Sequence, residues 1–176
     1  MHKCFILLIV LLFSVNYVFS EDTKYIFHDK CINILYRPAI VYFNNSKIDV
    51  YRDSRGIILR FDLNDVRNEY KNLSSVTVSK LMKIRDFLAK IKNPAIIEVH
   101  ISDISSGDLG SLKKWEISAV IAGNIGQILN ADNGISGRKI LAVGYGEFLP
   151  VNNTSNNGGK NLNRVDIIIL CNINGE

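Results

Sequence analysis

The sequence contains little of what metal centres and catalytic sites are built from. It has three histidines and three cysteines, and none of them falls in a CxxC or His-x-x-x-His spacing, so a zinc site is not predicted. No nucleophile stands beside a base in a recognisable pattern, and Gly144-x-Gly146 lacks the third glycine of a dinucleotide-binding loop. We therefore expect no catalytic residues, no metal and no cofactor, and we predict that the protein is not an enzyme.

Basic clusters are also missing. The formal net charge is +4, and no run of basic residues is longer than a pair such as Lys113-Lys114. Charge this weak and scattered argues against a nucleic-acid partner. Apolar residues make up 47% and charged residues 22% of the 176 residues, which is the composition of one folded domain after a short leader.

The first twenty residues have the pattern of an export signal. A basic start precedes an apolar run from Cys4 to Phe13, which is shorter than the ~20 residues needed to span a bilayer. The sequence predicts a signal peptide over residues 1–20, cleaved after Ser20. The alternative is an uncleaved N-terminal anchor, and only then is membrane contact expected. Either way, the rest of the chain is expected in the periplasm or cell envelope.

Residues 21–46 are predicted to form a lead-in segment ahead of a domain over residues 47–176. Pro38 argues against a helix in the lead-in, and we expect short strands or irregular chain that packs on the domain. Cys31 and Cys171 remain after cleavage. They form one disulfide or stay as two buried thiols, and the sequence leaves both possibilities open.

Hydrophobic patterns within the domain predict an α+β fold. A hairpin is expected where Lys47–Tyr51 and Gly56–Phe61 flank a turn-like segment. The later elements are a helix over Thr77–Lys92, a strand over Ala95–Ile101, a helix over Ser111–Asn130 and strands over Lys139–Val143 and Val165–Leu170. With the hairpin counted as one β unit, the order β-α-β-α-β-β predicts a two-layer sandwich with two helices on one face of a mixed sheet.

The same patterns predict which side chains are buried. The strand over Ala95–Ile101 places Glu98 and His100 on the face opposite its apolar residues. The last strand is apolar on both faces and is therefore predicted to be central. The residues predicted to be buried in the helices are Leu81, Ile84, Leu88 and Ile91 in the first and Leu112, Trp115, Ile121, Ile125, Ile128 and Leu129 in the second.

Two stretches resemble the OmpA/MotB-like peptidoglycan-associating family. Residues 114–119 read Lys-Trp-Glu-Ile-Ser-Ala and are similar to the family's Asn-Trp-Glu-Leu-Ser-Ala helix start. Residues 142–150 and 163–167 resemble the closing Val-Gly-Tyr-Gly-Glu-x-x-Pro and Asn-Arg-Arg-Val-Glu-Ile patterns. His100 also stands where the flagellar-motor branch has a histidine. The resemblance implies an OmpA-like two-layer fold and non-covalent association with peptidoglycan.

In the family, an aspartate pairs with the ammonium of the stem peptide's diamino acid and an arginine pairs with its carboxylate. The aspartate position falls here on Ser102, with Asp103 beside it, and the arginine position falls on Ile121. Isoleucine cannot bind a carboxylate. The candidate residues for binding the peptidoglycan stem are Ser102, Asp103, Lys114, Ser118, Asn163 and Arg164.

These departures from the family pattern leave two functions open. One is association with peptidoglycan through the OmpA-like domain. The other is a periplasmic structural or protein-interaction module, accessory to a flagellar motor or another trans-envelope assembly, with an envelope protein as partner. A stator subunit is not predicted, because residues 4–19 contain no Asp or Glu that could carry protons.

Overall fold

The structure is a computed structural model that describes residues 29–63, 70, 72–101, 113–131, 140–148 and 163–171. The predicted leader, Ser102, Asp103, Ser111 and Leu112 lie outside these residues. The elements in chain order are α1 (residues 29–43), β1 (Asp49–Asp53), β2 (Gly56–Asp62), α2 (Ser75–Leu88), β3 (Ala95–His100), α3 (Lys114–Asn130), β4 (Ile140–Gly146) and β5 (Arg164–Leu170). The predicted α+β class is confirmed.

The five strands form one mixed sheet in the order β1-β2-β5-β3-β4. β3 and β4 run parallel, and the other neighbouring strands pair antiparallel. The predicted hairpin is confirmed, with Asp53 opposite Gly56 at its turn. Gly56 has a φ of 148° and lies against the Ile169 carbonyl of β5, where a side chain would collide. β5 is the central strand, as its apolar residues on both faces predicted.

One hydrophobic core lies between the sheet and the helices. Alternate residues of the central strands face it, as the period of two requires. The buried strand residues in this core are Ile57, Leu59, Phe61, Ala95, Ile97, Val99, Val165, Ile167 and Ile169, and the helices add Leu81, Ile84, Leu88, Ile117, Ile121, Ile125 and Leu129. α2 and α3 therefore cover one face of the sheet, which confirms the predicted arrangement.

The lead-in packs on the domain as expected, but the expected short strands or irregular chain are wrong, because residues 29–43 are helical. Four apolar residues of α1 at spacings of three and four join the core: Ile32, Leu35, Ala39 and Phe43. Pro38 lies on the exposed side. A proline inside a helix costs about 3 kcal/mol, whereas burying each large apolar side chain contributes about 1.5–3 kcal/mol, so packing outweighs the proline.

A disulfide joins the first turn of α1 to the end of the central strand. Cys31 and Cys171 are bonded, with their Cα atoms 5.7 Å apart and 140 residues between them in sequence. The side-chain amide of Asn93 donates a hydrogen bond of 2.9 Å to the Leu170 carbonyl beside this bond. Of the two possibilities left open by the sequence, the disulfide is the one observed.

Some element bounds and one buried residue differ from the predictions. α2 ends at Leu88, before Ile91, and its N-cap is Ser74, whose hydroxyl accepts the Thr77 N–H. β4 runs through the glycines to Gly146 because α3 packs directly on it, with Gly144 against the Ala119 backbone. Trp115 is 48% exposed rather than buried, since it lies two residues before the first inward-facing position of α3.

No helix among the described residues is long and apolar enough to cross a bilayer.

Candidate functional site

The sheet face opposite the helices carries a polar network that reaches every strand. Its members are Tyr51 of β1, Arg60 of β2, Arg164 and Asp166 of β5, Glu98 and His100 of β3, and Tyr145 of β4, with Arg55 of the β1–β2 turn. They share this face because the strands alternate, with apolar residues turned to the helices. Four of the charged or titratable members are buried: Glu98, His100, Arg164 and Asp166.

Asp166 is the centre of this network. Both of its oxygens accept from Arg60, Oδ1 from Nε at 2.6 Å and Oδ2 from Nη2 at 2.8 Å, and Oδ2 also accepts from Arg164 Nε at 3.1 Å. Burial lowers the pKa of both guanidiniums, but the paired hydrogen bonds to Asp166 outweigh burial at Arg60 and raise its pKa above the usual value. At Arg164 burial dominates, and the pKa stays below the usual value.

Glu98 is held by a third arginine, Arg55. Arg55 Nη1 donates to Glu98 Oε1 at 2.7 Å. Burial raises the pKa of Glu98, but His100 and Arg55 together outweigh it, and the pKa lies below the usual value. The His100 Nε2 lies 3.9 Å from Glu98 Oε2, which is too long for a hydrogen bond.

His100 lies between two carboxylates. Its Nε2 is 3.9 Å from both Glu98 Oε2 and Asp166 Oδ2, and neither ring nitrogen has a hydrogen-bond partner among the described residues. The imidazole is 3% exposed and stacks on Tyr145, with ring centroids 5.1 Å apart and planes 7° from parallel. His100 is therefore a packed residue of the sheet face.

The described residues contain one group of side chains that could share a cation. Potential ligand atoms of Glu98, His100 and Asp166 lie within 4.8 Å of one another. The carboxylates already bind Arg55, Arg60 and Arg164, so a divalent ion would add its charge beside three guanidiniums. Electrostatic repulsion makes this arrangement a structural ion network rather than a metal centre.

The start of α3 and the Gly-Tyr-Gly-Glu segment at the end of β4 meet at one end of the sheet. This is the end where β3 and β4 finish and β5 begins. The Ser118 hydroxyl on α3 accepts a hydrogen bond of 2.9 Å from the Gly146 N–H on β4 and donates one of 2.8 Å to the Trp115 carbonyl. Gly146 lies so close to the Trp115 backbone that a side chain would collide. Lys114 adds an ion pair of 2.8 Å with Glu147. The start of α3 and the Gly-Tyr-Gly-Glu segment thus form one unit.

The fold recurs in solved structures. A MotB-like protein from Desulfovibrio vulgaris aligns with 85% of this chain and 97% of its own, at a TM-score of 0.66 and 22% identity. An outer membrane protein from Borrelia burgdorferi B31 aligns with 72% and 99%, at 0.52 and 28%. The cell wall anchor of the T6SS from Pseudomonas aeruginosa aligns with 74% and 95%, at 0.61 and 20%. The protein has the OmpA/MotB-like fold. No protein-family model and no curated protein matches the sequence.

The OmpA/MotB-like domain brings part of the candidate set together. Lys114 and Ser118 lie in the first turns of α3, and Asn163 and Arg164 lie where β5 begins, at the same end of the sheet. Arg164 is 4% exposed and bound to Asp166. Ile121 is fully buried in the core. Ile101, the last described residue before Ser102 and Asp103, donates its N–H to the Gly146 carbonyl at this end.

Sequence reasoning missed most of the polar network of the OmpA/MotB-like domain. It placed Glu98 and His100 on one face of β3, which is confirmed, but did not connect them to Arg60 and Asp166. The available signal was the polar or charged residue at alternate positions of three strands, with opposite signs on β2 and β5. Using it requires the strand order, because Arg60 and Asp166 are 106 residues apart.

Ser118→Ala is expected to destabilise the domain by about 1–3 kcal/mol, because the buried Gly146 N–H would lose its acceptor. Urea unfolding of the full chain measures this change. The matched control is Ser79→Ala, at an exposed position of α2, which should stay within about 0.5 kcal/mol of the parent protein. Equal stability of the two variants would show that the Ser118 hydrogen bond does not hold α3 to β4.

Proposed function

We propose that the protein is a non-enzymatic envelope protein that associates non-covalently with peptidoglycan through its OmpA/MotB-like domain. The observation that carries the proposal is the unit formed by the start of α3 and the Gly-Tyr-Gly-Glu segment, which the Ser118–Gly146 hydrogen bond ties together. These are the segments that resemble the peptidoglycan-associating family. The fold is also that of a protein described as a cell wall anchor.

The proposed binding surface is the end of the sheet where β3 and β4 finish. Peptidoglycan stem peptides carry carboxylates and, on the diamino acid, an ammonium, so a binding surface needs charges of both signs. Lys114 supplies a cation there and Glu147 supplies a carboxylate. Arg164 lies at the same end of the sheet, buried against Asp166. In this proposal Ser102 and Asp103, which follow Ile101 in the sequence, contribute to binding, and Asn163 lies beside Arg164 at the start of β5. Ser118 is buried and acts by holding Gly146.

A second function is favoured by the residue that this chain has in α3 where the family has its arginine. Ile121 is fully buried in the core, and the Arg164 guanidinium is bound to Asp166 on the sheet face. Both observations favour a domain that kept the fold and serves as a periplasmic structural or protein-interaction module, with an envelope protein as its partner. The two functions are separated by whether the protein binds the cell wall polymer itself.

Co-sedimentation with purified peptidoglycan sacculi tests the proposal. The full chain is incubated with sacculi from its own source and with sacculi that contain diaminopimelate. Binding to at least its own sacculi is expected, and binding to those alone would indicate that the site accepts a different stem diamino acid. If the chain stays in the supernatant with both, the peptidoglycan proposal is wrong and the interaction module is the remaining function.

Two single variants then locate the site. Lys114→Ala and Asp103→Ala are each expected to weaken binding by roughly tenfold or more, since a hydrogen bond to a charged group contributes about 1.5–3 kcal/mol. Arg52→Ala is the control: it removes one positive charge from an exposed residue of β1, near the turn at the opposite end of the sheet. Losses no larger than that of Arg52→Ala would place the binding surface elsewhere.

A further inference from the structure

The positive charge of the protein is concentrated in two segments of the chain. Residues 29–43 and 75–92, which contain α1 and α2, hold seven basic and two acidic side chains, a net charge of +5. The whole chain carries +4, so the remaining residues together are slightly acidic. Asp29 and Asp86 are the acidic residues of the two segments. Partners that contact this face meet a positive field.

One stripe of α1 faces away from the core. Lys30, Ile34, Arg37 and Val41 are spaced by four, three and four residues, so they lie along one side of the helix, and all four are exposed. Ile34 is 60% exposed and Val41 is 77% exposed. We name these four residues the α1 ridge. Along this ridge, basic side chains alternate with aliphatic side chains that are exposed to solvent.

A lysine of α2 and one in the turn after it extend this basic surface. The Nζ atoms of Lys83 and Lys90 lie 5.6 and 4.8 Å from the centre of the Tyr42 ring on α1. Tyr42 also packs on Phe87 of α2, with ring centroids 5.3 Å apart. Cation–π attraction therefore holds the two ammonium groups beside α1.

We propose that the α1 ridge, with Lys83 and Lys90 beside it, docks on a membrane surface of anionic phospholipid. Cations interleaved with exposed aliphatic residues on one helix side suit the boundary between headgroups and acyl chains. An acidic protein would need the cations but not Ile34 and Val41. The apolar segment of the leader also ends nine residues before α1, so a retained leader would keep α1 within about 30 Å of the bilayer.

Flotation of the full chain with lipid vesicles tests the proposal. Vesicles of phosphatidylcholine are compared with vesicles that also contain phosphatidylglycerol, at low and high salt. Any contribution of the apolar leader is the same for every variant. Arg37→Glu is expected to weaken binding to the anionic vesicles by roughly 30-fold, because it removes one favourable charge and adds one unfavourable charge at about 1 kcal/mol each. High salt should weaken the binding of the parent chain as well.

The control is Lys113→Glu, a charge reversal at an exposed position before α3, which should bind like the parent chain. Val41→Ser should weaken anionic binding without changing the net charge. Equal binding of Arg37→Glu and Lys113→Glu, or equal binding to neutral and anionic vesicles, overturns the proposal. Displacement from the vesicles by a soluble anionic glycan, with vesicle binding weaker than glycan binding, also overturns it and assigns the face to an envelope polysaccharide.

Discussion

Asp166→Ala is expected to destabilise the domain by about 3–5 kcal/mol, the usual effect of removing one partner from a buried ion pair. The variant would leave Arg60 and Arg164 without the carboxylate that accepts three hydrogen bonds from them. Arg164 is the more sensitive of the two, because burial already lowers its pKa. Urea unfolding of the full chain, followed by circular dichroism, measures the change as a lower midpoint.

The matched control for this variant is Asp86→Ala, which removes a carboxylate from an exposed position of α2. It should change the free energy of unfolding by no more than about 0.5 kcal/mol. Adding Arg60→Ala to Asp166→Ala should cost less than Arg60→Ala alone, since the two residues share their interaction. If the effects of Asp166→Ala and Asp86→Ala were equal, the network would not contribute to stability.

The strands could be predicted from the sequence because each carries a local pattern. Alternation located the buried face of β3, and apolar residues on both faces identified β5 as central. The ion network on the other sheet face is not local, because it depends on β2 lying next to β5 and β5 next to β3. The sequence shows the charges of Arg60, Glu98 and Asp166, and only the strand order pairs them.

The largest error of prediction concerns α1. Pro38 predicts a break in the helix, while the spacing of Ile32, Leu35, Ala39 and Phe43 predicts one apolar helix side. The proline lies on the exposed side of α1, opposite these core residues. Trp115 shows the opposite error: a large aromatic residue was assumed to be buried, although it is out of phase with Ile117, Ile121 and Ile125.

For the candidate site, the sequence predicted the residues that hold the elements together but not how a ligand is bound. Ser118 and Gly146 came from motif segments, and their hydrogen bond shows that these segments fold against each other. The ligand roles of Ser102 and Asp103 stay predictions, since both residues lie outside the described part of the chain. The sequence predicts that Ile121 is buried and cannot bind a carboxylate, and Ile121 does lie in the core.

Removal of the disulfide is expected to destabilise the protein by about 3–5 kcal/mol. Cys31 and Cys171 are 140 residues apart, and a cross-link that closes a loop of this length removes much of the chain entropy of the unfolded state. The double variant Cys31→Ser/Cys171→Ser, or the parent chain with a reductant, should unfold at a lower urea concentration. Cys4→Ser is the control, and its unfolding should match that of the parent.

The disulfide should matter most for α1. This helix adds four buried apolar residues to the core, and the bond at Cys31 fixes its first turn to the end of β5. Hydrogen exchange should therefore accelerate in residues 29–43 of the double variant before it accelerates in the sheet. Uniform acceleration along the chain would show that α1 and the sheet unfold as one unit. Unchanged urea midpoints with and without reductant would contradict the stabilising role of the bond.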